Sequence, residues 1–70
     1  MENYSILKTL LTFPVKQGGW HMELNLISWF NRMPVYDLRE WDSDRKMKKG
    51  ITLSKEELSI LKEKLQEVEL

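Results

Sequence analysis

Three tryptophans and a cluster of cations are the residues here whose types could do chemistry. Trp20, Trp29 and Trp41 are spread through the first two thirds of a 70-residue chain. Arg39 stands two residues before Trp41, and Arg45, Lys46, Lys48 and Lys49 follow within "RKMKKG". Aromatic rings stack on unpaired bases, every base offers a π-face, and basic groups track the phosphates. That pairing of residue types is what binding of single-stranded nucleic acid requires. Each residue also has an ordinary reading. A tryptophan in a small domain is most often a core anchor. A lysine run is most often a solvated hairpin that protects a sheet edge. Arg39 has an acid, Asp37, at the right spacing to pair with it on one strand face.

Other chemistries lack their parts. His21 is the only histidine and cysteine is absent, which argues against a zinc site. Asp42 and Asp44 are spaced like the start of a calcium loop, but basic residues follow, so a solvated turn is expected. Gly18-Gly19 has no GK[ST] or GxGxxG around it. Asp37 and Glu40 fall on opposite faces of a strand and cannot act as an acid/base couple. No catalytic residue, metal or cofactor is expected.

The elements that position the tryptophans and cations follow from periodicity. Residues 4–13 are apolar with an ambiguous period, since Ile6, Leu7, Leu10 and Leu11 suit a helix face as well as a strand. Pro14 and "KQGG" end that element. Residues 20–30 alternate: Trp20, Met22, Leu24, Leu26, Ser28 and Phe30 point one way, and His21, Glu23, Asn25, Ile27 and Trp29 the other. "NRMP" is a turn. Residues 35–41 form a third strand with Val35, Asp37, Arg39 and Trp41 on one face. "DSD" connects to a fourth strand over about 46–53. Short connections make these antiparallel neighbours.

A helix over about 55–68 is the clearest element. Ser54 is its N-cap and Glu57 completes a capping box. Leu58, Leu61, Leu65 and Val68 form its apolar stripe; Ile60 lies off the stripe, either exposed or against a second subunit. The pattern is α+β, with four antiparallel strands and then one helix in a single domain over 1–70. The helix covers one sheet face and leaves the other bare.

Size and charge add two expectations. A chain this short without cysteines has few ways to build a stable core, and dimerisation is the simplest one left. Formal net charge is zero, but the segment from Ser54 onward holds three basic and five acidic residues, so the remainder is mildly basic. Without an apolar run of membrane-spanning length or a basic, signal-like start, a bacterial-type cytoplasm is the expected location, with nucleoid association as a further expectation.

The assembled motifs resemble the single-strand-binding domain of the positive cofactor 4 family of transcriptional coactivators, with the bacterial YdbC-type branch the nearer match. The resemblance rests on Gly19-Trp20, Glu23-Leu24-Asn25, Ser28-Trp29, Pro34, Tyr36-Asp37-Leu38-Arg39, Trp41, and Lys46-Met47 through Lys49-Gly50-Ile51-Thr52-Leu53-Ser54. It covers about residues 19–68. It implies a curved four-stranded antiparallel sheet followed by one C-terminal helix, paired into a homodimer. It implies sequence-nonspecific binding of single-stranded DNA in transcription regulation or DNA repair and recombination, with no catalysis.

Carried over by position, Arg39, Lys48 and Lys49 match basic residues of the third and fourth strands. Trp29 and Trp41 each lie within one residue of a stacking aromatic. Met22 and Leu26 stand where basic residues are expected, which predicts weaker binding with a shallower salt dependence. The expected interface is Trp29, Trp41, Arg39, Arg45, Lys46, Lys48 and Lys49, with Trp20 either core or site. An RNA partner and a protein-interaction role, docking on transcription or recombination proteins through the acidic helix, are the alternatives.

Overall fold

A computed structural model describes residues 3–70. Met1 and Glu2, which the sequence reading places in the same domain, lie outside the described residues. The order is β1 (Tyr4–Thr12), β2 (His21–Trp29), β3 (Val35–Trp41), β4 (Met47–Leu53) and α1 (Lys55–Leu65). The strands form one antiparallel sheet in sequence order. The fold is therefore the expected α+β sheet followed by a helix.

β1 resolves its ambiguous period in favour of a strand, and the register gives the reason. Ile6 pairs with Ile27 but Lys8 with Leu26; Thr9 pairs with Asn25 but Leu11 with Leu24. Each shift inserts an extra residue, and each bulge flips the faces once. A strand with two bulges places apolar residues at irregular spacing, which imitates a helical stripe.

Alternation along β2 and β3 sorts their side chains as expected. Glu23 faces Arg39, Asn25 faces Asp37 and His21 faces Trp41 across the ladder. That face is not bare. Tyr4 pairs with Trp29 at one end of β2, while Trp41 pairs with His21 at the other. Yet the Tyr4 ring lies 5.9 Å from both Trp29 and Trp41. The sheet coils until its ends meet over this concave face and bury it. Ile27, Trp41, Asn25 and Asp37 are fully buried there, and Glu23 is 5% exposed. The helix lies over one sheet face as expected, but the other face is not bare, because sheet curvature encloses the face that the helix does not reach.

The convex face is the open one. Helix α1 packs against β3 and β4 but buries none of its residues fully. Its capping box forms as expected: Glu57 N–H donates to Ser54 Oγ at 3.0 Å and Ser54 N–H to Glu57 Oε1 at 2.8 Å. The helix ends at Leu65 rather than near 68. Its last turn closes with three-residue bonds, Gln66 N–H to Glu63 O and Val68 N–H to Leu65 O, and Val68 is exposed. Leu10, Leu11, Phe13, Leu24, Leu58 and Leu61 line an apolar cleft of about 400 Å³ between helix and sheet. Ile60 is 59% exposed.

Candidate nucleic-acid interface

The concave face carries two arginine–carboxylate pairs. Arg39 Nε and Nη2 donate to Asp37 at 3.0–3.3 Å, and Nη1 donates to the Lys48 carbonyl at 3.0 Å. The pairing considered for Arg39 on its own strand face is therefore formed. Its guanidinium lies 5.5 Å from the Trp29 ring. Gly50 makes room for this arginine. A Cβ there would come within 2.6 Å of Arg39 Cβ and 2.8 Å of the Leu38 carbonyl oxygen, at the point where β3 and β4 shift register.

Arg45 sits in the β3–β4 turn with φ +65°, a left-handed conformation that is uncommon outside glycine. The turn is built by Asp42, whose Oδ1 accepts from Asp44 N–H and Lys46 N–H at 2.9 and 2.8 Å. The Arg45 guanidinium grips Glu23 with both terminal nitrogens, at 2.5 and 2.9 Å. It also lies 4.3 Å over the Trp41 ring. His21 Nε2 and Asn25 Nδ2 reach the same carboxylate at 2.6 and 3.0 Å. The hydrogen bond from Arg45 is the largest influence on Glu23. Burial opposes it, the Asn25 and His21 bonds assist it, and the carboxyl ends at about 2 against an ordinary 4.5. The same contact pushes the Arg45 guanidinium up.

These positions separate the expected site residues. Arg39 and Trp41 share the concave face, but Trp41 is fully buried and Arg39 is bonded to a buried acid. Trp41 is a core residue in this conformation. Trp29 is half-buried, and Lys46, Lys48 and Lys49 are exposed. Lys48 Nζ and Lys16 Nζ both lie near the half-buried Trp20 ring, at 5.4 and 4.4 Å. Lys49 lies on the convex side with Met22, Leu38 and Glu40. Met22 and Leu26 alternate with the concave residues of β2, so neither stands beside Arg39. The residue opposite Arg39 is Glu23, which with Asp37 offsets the positive charge of this face.

Sequence reasoning missed Phe30. It was counted as the last residue of a strand, but β2 stops at Trp29. Phe30 and Asn31 take φ +50° and +60°, and Arg32 N–H donates to the Trp29 carbonyl at 2.8 Å. Two consecutive positive φ values closed by that bond make a type I′ turn. Ser28 Oγ clamps it by donating to the Arg32 carbonyl at 2.7 Å. Phe30 is left 60% exposed, with Arg32 at 5.7 Å from its ring. A bulky residue in this conformation is strained, and such strain gathers at functional sites. The signal available beforehand was "FN" ahead of "RMP", with Asn31 suited to a left-handed position.

The buried ring nitrogens of Trp29 and Trp41 and Oδ1 of Asn25 have no hydrogen-bond partner among the described residues. The same residues hold no cluster of His, Cys, Asp and Glu suited to a metal ion, and no helix long and apolar enough to cross a membrane. The chain is 36% identical over 69 residues to an uncharacterised protein of Treponema pallidum (strain Nichols), covering 97% of this chain and 81% of that protein. Residues 16–64, which contain β2, β3, β4 and most of α1, match the family described as Transcriptional Coactivator p15 (PC4). With 16–64 spanning most of its length, the chain belongs to the Transcriptional Coactivator p15 (PC4) family.

Proposed function

We propose that this protein binds single-stranded DNA without strong sequence preference, as a homodimer, in transcription regulation or DNA repair and recombination. The observation that carries the reading is the family match over 16–64, because that span contains every residue of the expected interface. The geometry supports an accessible set made of Phe30, Trp29 and Arg32 at one hairpin, with Lys46 and Lys48 on the other and Lys49 exposed on its convex side. Stacking on Phe30 and Trp29 supplies affinity that ignores base identity, and the lysines track phosphate. Arg39 and Trp41 are held inward and the half-exposed Arg45 is bonded to Glu23, so these three belong to the interface only when their contacts rearrange.

The homodimer reading rests on how little this chain buries by itself. Among the described residues Ile27 and Trp41 are the buried hydrophobic ones, while Leu11, Leu61 and Leu65 are 49%, 41% and 49% exposed around the apolar cleft. A second copy covering that cleft supplies the missing core. Replacing Leu61 and Leu65 by Glu is expected to give a monomer in sedimentation equilibrium. A parent protein that is already monomeric at micromolar concentration defeats this part of the reading.

Tryptophan fluorescence tests the binding. Oligo-dT is expected to quench it at low salt, with recovery at high salt. Phe30→Ala is expected to weaken binding by about 1–3 kcal/mol. Loss of either exposed lysine, Lys48 or Lys49, lowers the salt slope by about 0.7. Absence of any fluorescence change or retention on oligo-dT defeats the reading. Stronger competition by oligo-U than by oligo-dT transfers it to RNA.

A further inference from the structure

Glu23 gathers three donors onto one carboxylate: Arg45 through two bonds, His21 and Asn25. The planar guanidinium fork fits carboxylate and phosphate alike. Both terminal nitrogens of Arg45 are used on Glu23, yet its side chain is 50% exposed against 7% for Glu23. It can therefore leave, whereas the Arg39 side chain is 17% exposed and tied to both Asp37 and the Lys48 carbonyl. Arg45 also lies over the ring of Trp41, whose indole N–H is buried without a partner among the described residues.

From this arrangement we propose that Glu23 acts as an internal stand-in for phosphate that holds Arg45 shut over Trp41. A backbone phosphate of single-stranded DNA would compete for the same guanidinium. When Arg45 swings onto it, the part of the Trp41 ring that Arg45 covers opens to the strand, while Tyr4 stays against the ring. Glu23 is thus the residue that sets affinity on this face. The inference rests on the single-stranded DNA reading above.

The experiment has an arm on the parent protein and an arm on variants. In the isotopically labelled parent, saturation with oligo-dT is expected to shift the NMR signals of the Trp41 indole N–H and the Arg45 guanidinium. If Phe30, Lys48 and Lys49 respond while those two do not, the lid is overturned and the binding reading stands. If no signal responds, both fall. Glu23→Gln keeps the shape and removes the charge. It is expected to bind oligo-dT about tenfold more tightly at low salt, the scale of one added charge-assisted contact. Its salt slope should steepen by about 0.7 for one extra phosphate.

Adding Arg45→Met to Glu23→Gln is expected to abolish that gain. Asp44→Asn removes an equal charge from the exposed turn without touching the grip, and should change affinity less than twofold. A folded Glu23→Gln protein that binds no tighter than the parent, or an Asp44→Asn gain of equal size, overturns the proposal. If Glu23→Gln does not fold, the parent's Trp41 and Arg45 signals decide.

Discussion

Acidification should unlock this fold at Glu23, and the structure sets the size of the effect. The carboxyl is held at about 2 rather than 4.5, chiefly by the Arg45 hydrogen bonds. Each tenfold change in proton affinity is worth about 1.4 kcal/mol, so the depression amounts to roughly 3 kcal/mol. The folded form holds the proton less tightly than the unfolded form. The stabilisation is therefore complete above about 4.5 and is lost as pH falls from there toward 2. Arg45, whose guanidinium the Glu23 contact pushes up, stays charged throughout.

The assay is urea unfolding at fixed protein concentration, repeated between pH 6 and pH 2 on the parent and on Glu23→Gln. The parent should lose roughly 3 kcal/mol more than the variant over that range. Fixed concentration matters because the proposed dimer would add a mass-action term to the apparent stability. Equal losses in the two proteins would refute the reasoning, since they would place the acid sensitivity on other carboxylates.

Two further perturbations test local geometry. Gly50→Ala should cost about 2–3 kcal/mol, because the added methyl meets Arg39 Cβ and the Leu38 carbonyl rather than a flexible side-chain end; unchanged unfolding would show that β4 can draw away from β3 there. Phe30→Asn should raise stability by about 1 kcal/mol by relieving the left-handed strain, or about 4–8 °C in melting temperature for a domain of this size. The same change should weaken oligo-dT binding. A variant that is more stable and binds equally well would remove Phe30 from the interface.

Much of the architecture was legible in the residue order because it depends on local patterns. Strict alternation identified β2 and β3, and Ser54 with Glu57 marked the start of α1. The irregular spacing in β1 was not decidable, since two bulges and a helical stripe produce the same local sequence. Helix length was overestimated because Leu65 and Val68 continue the stripe, whereas the chain after Leu65 closes with three-residue bonds and leaves Val68 exposed.

The interface divided along the same line. Residue type and spacing alone put Arg39 and Trp41 on one face and exposed the lysines of "RKMKKG". Whether that face is open depends on long-range curvature, which brings Tyr4 onto Trp41 from the far end of β2 and has no local signature. Arg45 and Glu23 are likewise 22 residues apart in sequence. Their bond requires the β3–β4 turn to fold back over the concave face, so only the tertiary structure could show that a cation read as free is already occupied by an acid.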